Sequence, residues 1–299
     1  MRWLKRLTLL LLLVILIPAG AFWGLKQSFP GETIAQKMEQ YASQQSGIPF
    51  KLAPLQLGWT ALEFPELAML TPPGWRSGPP LKMLVLEQAR APFAALPQLE
   101  GRVEGQVHGG TLQVKISPLP QPQTAQIQLQ SVQLQRVPLV ALFPYGTISG
   151  ELSSELEVNN LATLLQRKTS LPQGELQGNL SNLRVRLAGL DLLLPGSIFP
   201  DLVWSRVHYE LELGEQVVLR QVEFEGSVEG SLSGTVRPNL KRPSASQLDL
   251  KVQLKIPAEL LQALGPLALV LRPYQCGVEL RVRVQGSPER PVTRPGVCS

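Results

Sequence analysis

The 299 residues carry 28 lysines and arginines against 23 acids, a net charge of +5, with 44% hydrophobic and 6% aromatic content. A chain of this length can bury a sizeable core, as one large β domain or two ordinary ones. Its basic residues are scattered and not interleaved with aromatics, which argues against a nucleic-acid surface. It has two histidines and no paired-His or Cys-x-x-Cys spacing, so no usual zinc set is at hand.

Arg2, Lys5 and Arg6 precede an apolar run from Leu7 to Leu25, broken only by Thr8, Pro18, Gly20 and Gly24. At 1.5 Å per residue the run reaches about 28 Å, close to the hydrocarbon thickness of a bilayer. Three cations before it and only Lys26 close behind predict a cytoplasmic N-terminus and an exported remainder. The expected organisation is a cytoplasmic tail over 1–6, a transmembrane anchor over 7–25 and an exported, β-rich domain over 26–299. Ala19-Gly20-Ala21 also has the form of a signal-peptide cleavage site. Phe22, Trp23 and Leu25 extend the apolar length, and Trp23 suits a membrane interface, which favours an uncleaved anchor. Both readings export the same domain.

After the anchor, Glu32 to Gln45 reads as a short amphipathic helix with Ile34, Met38 and Tyr41 on one side. A first strand is expected within IPFKLAPLQLGW, from Ile48, with Pro49 and Pro54 better tolerated on an edge. TPPGWRSGPP, from Thr71 to Pro80, is a loop on its prolines and glycines, with Trp75 in it. Strands resume with Leu84, Leu86 and Ala89. Gly101, Val103, Gly105, Val107 and Gly109 then alternate with polar residues until Gly110 shifts the phase, as a bulge or turn would.

The same period of two recurs at Ile127 and Leu129, at Val132 and Leu134, and from Ile148 to Val158. It returns at Leu176, Gly178 and Leu180, at Leu183, Val185 and Leu187, and at Val207 to Leu213. From Val222 to Val236 every second residue is apolar or glycine, which predicts one strand of roughly 50 Å. Leu248 to Ile256 and Val278 to Val284 close a series of nine or more strands. Helical interruptions are expected at Val137 to Phe143, Leu161 to Lys168 and Ala258 to Leu271, the last opening after Pro257.

The fold class predicted is mainly β: one long, curved, largely antiparallel sheet with a few short helices behind the anchor. Its apolar face needs a cover. Two sheets closing in a sandwich would supply one; so would a curved sheet whose apolar concavity holds lipid, lined by Val222, Phe224, Val228, Leu232 and Val236. Glycine pairs four apart on the apolar face, such as Gly226 and Gly230, let a long sheet coil or leave room for a guest. Cys276 and Cys298 are either a disulfide closing a loop of about twenty residues or two unpaired thiols.

Stretches such as LFPYGTISGELSSELEV, LPQGELQGNLSNLRVRL and VEFEGSVEGSLSGTVRPNL, behind an anchor and a short helix, resemble the type II secretion system protein N family (GspN), itself similar to AsmA-like periplasmic proteins. The likeness covers about residues 1 to 256. It implies a single-pass bacterial inner-membrane protein with its bulk in the periplasm. Its role there is structural or accessory, beside other inner-membrane components of type II secretion. The AsmA-like relatives imply instead a β-groove that binds or transfers phospholipid. Cys276 and Cys298 have no counterpart in the family.

Catalytic patterns are lacking. His108 and His208 fall on the polar side of alternating strands, and GSLSG, from Gly230, is one place off a nucleophile elbow and lies within a strand. No phosphate loop or dinucleotide fingerprint stands at a strand-to-helix junction. Glu223, Glu225 and Glu229 keep a strand face soluble. Arg184, Arg186 and Arg206 form either a contact for an anionic headgroup or partner, or a solvated face. The expectation is a non-enzymatic protein with no cofactor.

Overall fold

The computed structural model describes residues 24, 26, 28–46, 49–71, 80–119, 121–138, 146–162, 172–187, 201–239, 245–263 and 267–298. The expected span Leu7–Leu25 lies outside these residues except for Gly24, and so does Trp23. Among the described residues no helix is long and apolar enough to cross a membrane.

A helix, α1 (Gly31–Ser46), opens the described chain. The strands that follow are β1 (Phe50–Leu52), β2 (Gln56–Leu57), β3 (Ala61–Leu70), β4 (Lys82–Pro92), β5 (Gly101–Val107), β6 (Gly110–Ser117), β7 (Thr124–Gln133) and β8 (Gly146–Val158). Then come β9 (Gly174–Leu187), β10 (Leu202–Leu213), β11 (Val217–Gly226), β12 (Glu229–Arg237) and β13 (Gln247–Lys255). Two short helices, α2 (Ala258–Ala263) and α3 (Leu267–Leu271), lead to β14 (Gln275–Cys276), β15 (Glu279–Ser287) and β16 (Arg290–Pro295). From β3 to β13 each strand pairs antiparallel with the next, and the sixteen strands form one sheet. The molecule is mainly β, with a long, curved antiparallel sheet and few helices. One sheet, not two hydrogen-bonded sheets, carries the alternation.

The unbroken strand expected from Val222 to Val236 is not there. The chain turns back at Ser227 and Val228, so β11 and β12 are a hairpin that pairs Phe224 with Gly230 and Val222 with Leu232. The even numbers explain the misreading: in this register even residues face even residues, so the period of two runs through the turn unchanged. No Asn-Gly or Asp-Gly marks the turn, which is held from β10. Ser227 donates its backbone N–H to the Val203 carbonyl at 2.7 Å, and its hydroxyl accepts the Val203 N–H at 2.9 Å.

The opposite error occurs at Leu129/Val132 and Leu180/Leu183, where a change of phase suggests separate strands. Both lie inside continuous strands, β7 and β9, at bulges. Ser131 (φ 53°) and Asn182 (φ 51°) take the positive φ that lets one extra residue enter a ladder while the apolar side chains stay on one face. The phase shift at Gly110 is a true turn: His108 and Gly109, at φ 46° and 82°, join β5 to β6 as a two-residue hairpin loop requires. His108 is therefore in a turn, not on a strand face.

The helix expected over Glu32 to Gln45 is α1, but its inner stripe differs. Met38 and Tyr41 are exposed, whereas Gly31 and Ala35 are buried. Small residues let the helix approach closely: a Cβ on Gly31 would overlap the Leu55 carbonyl, and Ser43 Oγ accepts the Phe50 N–H at 3.0 Å. The apolar pattern pointed to the large side chains because spacing alone cannot show that contact is made by small ones.

The helix expected over Ala258 to Leu271 is split into α2 and α3. Most of the segments expected at Thr71–Pro80, Val137–Phe143 and Leu161–Lys168 lie outside the described residues. β3 and β16 were missed. β16 carries Pro291 and Pro295 among exposed residues and has no alternation to betray it.

The core sits at the N-terminal end of the sheet. Ala35 of α1, Leu55, Phe64, Leu86, Ala89, Val107 and Val132 form one buried cluster, flanked by Ile34, Leu52, Val103, Leu112 and Leu152.

Candidate functional site: the open apolar face

Beyond β8 the apolar residues fall into rows across the strands. Register places Leu152, Leu180, Val207, Phe224, Gly230, Leu254 and Leu280 side by side, one from each strand from β8 to β13 and then β15. A second row runs through Gly178, Tyr209, Val222, Leu232, Val252 and Val282. Seven strands at about 4.8 Å make the first row roughly 29 Å long. Of the aliphatic and aromatic residues in these rows only Val207 and Leu280 are buried; the rest are half-buried, and of them only Leu152 packs against the core cluster.

Four of the five residues expected to line a groove share this face. Val222 and Leu232 are cross-strand partners, Phe224 pairs with Gly230, and Val236 pairs with Val217. They form a patch two strands wide in place of a line along one strand. Val228 lies in the turn, where its carbonyl accepts the indole N–H of Trp204 at 2.9 Å.

Inward glycines do not all leave space. At Gly178 the position a Cβ would take is filled by the Tyr209 ring from the next strand, and the phenol hydroxyl reaches on to Ser154 of β8. Burial raises the Tyr209 phenol above its usual range. This bridge across three strands was not legible, because Ser154, Gly178 and Tyr209 become neighbours only through register. At Gly234 (φ 139°) a Cβ would meet the Asp249 carbonyl at 2.2 Å, so the glycine serves close approach of β13 and not a gap.

The polar face is concave in places. A cleft of about 470 Å³ opens between Arg90, Glu104, Gln106, Gln113 and Gln128, and one of about 390 Å³ between Gln130, Ser153, Glu155, Gln177 and His208. The first lies across β4 to β7 and the second across β7 to β10. Amides hold the carboxylates here: Gln113 Nε2 donates to Glu104 at 2.7 Å and Gln128 Nε2 to Glu155 at 3.0 Å.

Charged groups on this face pair locally. Arg186 grips Asp201 through two 2.9 Å bonds, and Arg283 grips Asp249 at 2.9 and 2.8 Å. Hydrogen bonding to the guanidinium lowers the carboxyls of Asp201 and Asp249 below the usual range. Arg206 Nε donates to Asn179 Oδ1 at 3.3 Å. Asn179 Oδ1 is also 3.0 Å from His208 Nδ1, and His208 Nε2 is 3.2 Å from Glu210. His108 Nε2 is 3.2 Å from the Met83 carbonyl. Glu223, Glu225 and Glu229 are exposed. Among the described residues no three His, Cys, Asp or Glu side chains are placed to hold a metal ion.

Cys276 and Cys298 are joined in a disulfide, with Cα atoms 5.5 Å apart. No family model, curated protein or solved structure matches the chain.

Proposed function

We propose that the chain is a non-enzymatic, single-pass component of a type II secretion machinery of the GspN kind, tethered by Leu7–Leu25 and working in the bacterial periplasm beside other inner-membrane secretion proteins. The observation that supports it best is the single antiparallel meander from β3 to β13, whose charged groups pair among themselves on one face and whose apolar groups line the other. Such a sheet is a scaffold with a long surface, and its polar groups are arranged for solubility and not for proton transfer. The test is secretion: deleting the gene should lower release of folded substrates into the medium, and the full chain should restore it where a chain lacking residues 1–25 does not. Normal release without the gene would overturn the proposal.

The open apolar rows favour a second reading, an AsmA-like lipid-binding or lipid-transfer sheet. On this reading phospholipid co-purifies with the full chain and is lost on Leu232→Glu or Val252→Glu. Equal lipid content in both variants would remove it.

A further inference from the structure

The sheet's C-terminal edge is closed by a device whose parts come from three places. β16 pairs with β15 in a register that sets Arg283 against Arg294, Gln285 against Val292 and Ser287 against Arg290. The Gly296 N–H bonds to the Arg281 carbonyl at 2.8 Å in the same register, so the even-numbered residues of β16 are the ones bonded to β15. The alternate residues, Pro291, Thr293 and Pro295, therefore turn their backbone outward. Two of those three have no N–H, which leaves Thr293 as the only outward donor of β16. Thr293 Oγ1 is itself 2.7 Å from the Tyr274 hydroxyl. A strand arriving from another chain finds little to pair with.

What holds β16 in place is not packing. All six of its residues are exposed, and Val297 beyond it is 86% exposed. The hold comes from the ladder and from two clamps at the far end: the Cys276–Cys298 disulfide, and Arg281, whose guanidinium donates to the Val297 carbonyl at 3.0 Å and to Glu279. β14 is anchored on the same edge of β15, opposite Glu279 and Leu280, so the disulfide ties the tail to a fixed point beside the strand it must cover.

We infer that residues 290–298 are a detachable stopper, and that the β15 edge beneath it is an interaction surface for a second copy of this chain. Removing β16 bares the backbone of Arg281, Arg283, Gln285 and Ser287. That row is self-complementary about Val284. In a two-fold antiparallel pair Arg281 faces the copy's Ser287 and Arg283 faces the copy's Gln285, so no like charges are opposed. Val284 meets its own copy, and the apolar face of one sheet continues into the other. A short outer strand with prolines, locked by a cross-link, is what keeps this edge from pairing at rest.

The test compares the full chain with Cys276→Ser/Cys298→Ser, by light scattering and amide hydrogen exchange at low and high protein concentration. The wild-type mass should not change with concentration. In the variant the mass should double as concentration rises. At low concentration the amides of Arg281, Arg283, Gln285 and Ser287 should exchange faster than in the wild type, and recover at high concentration. The amides of Val282 and Val284, which face β13, should stay protected throughout. A second variant, Pro291→Thr/Pro295→Thr, keeps the disulfide but restores two outward donors, and should associate through β16 itself. An unchanged mass in both variants would overturn the inference. So would loss of protection at Val282 and Val284, because β16 would then be part of the sheet's stability and not a stopper upon it.

Discussion

Between Phe64 and Val132 the apolar side of the sheet carries the core: Ala35 of α1 joins Leu55, Phe64, Leu86, Ala89, Val107 and Val132 in one buried cluster, with Val103, Leu112 and Leu129 half-buried beside it. Between Val207 and Val284 the same alternation makes the same kind of face, yet of the aliphatic and aromatic residues in its two transverse rows only Val207 and Leu280 are buried. The two regions differ in cover and not in strand pattern. A period of two specifies which side of a sheet is apolar; whether that side becomes a core depends on an element of another period, such as α1, reaching it. Among the described residues the rows between Val207 and Val284 stay mostly half-buried, and that region is the one available to a guest or a partner.

A matched pair of substitutions should break the comparison if it is wrong. Phe64→Ala removes a buried ring and should cost about 3–5 kcal/mol, whereas Phe224→Ala removes a half-buried one and should cost about 1 kcal/mol. Chemical denaturation of the full chain reads both, and equal losses would mean that the two faces are equally covered. Cys276→Ser/Cys298→Ser should cost about 3 kcal/mol, and exchange protection should fall in β14, in β16 and at the β15 amides facing β16, but not at Val282, Val284, Leu86 or Val107. Gly234→Ala forces a Cβ toward the Asp249 carbonyl at a φ that L side chains rarely adopt, and should cost about 1–3 kcal/mol by the same denaturation. Tyr209→Phe keeps the ring over Gly178 and loses only the bond to Ser154, so about 1 kcal/mol is expected.

The smallest effect is electrostatic. Asp201 and Asp249 have carboxyls lowered by their arginine partners. Each therefore contributes stability that is present above the unfolded carboxylate range, near pH 4, and is lost as pH falls through the lower folded value. Both pairs are solvent-exposed, so the contribution should shrink in salt. Melting temperature against pH for the wild type and Asp249→Asn should diverge least at the acid end.

The fold class was legible because Ile148–Val158, Val207–Leu213 and Leu248–Ile256 each keep one phase for a whole strand. Turns and bulges were less so, for a physical reason. A hairpin that pairs even residues with even residues preserves the alternation, and this hid the turn at Ser227–Val228. A bulge reverses the phase without ending the strand, and this made Ser131 and Asn182 look like boundaries. Val222, Phe224, Leu232 and Val236, expected to line a groove from one strand, share a face, but a hairpin places them across two strands instead of along one. The Tyr209–Ser154 bridge and the outward prolines of β16 depend on register, which no local pattern carries.

The most direct measurement of the difference in cover is thiol accessibility at two apolar-face valines of the full chain. Val252→Cys, from the open rows, should react with a small maleimide at nearly the rate of an exposed thiol, while Val107→Cys, at 1% exposure in the core, should stay unreacted until the protein unfolds. If Val252→Cys is as protected as Val107→Cys, the C-terminal face has a cover of its own and is not an open surface.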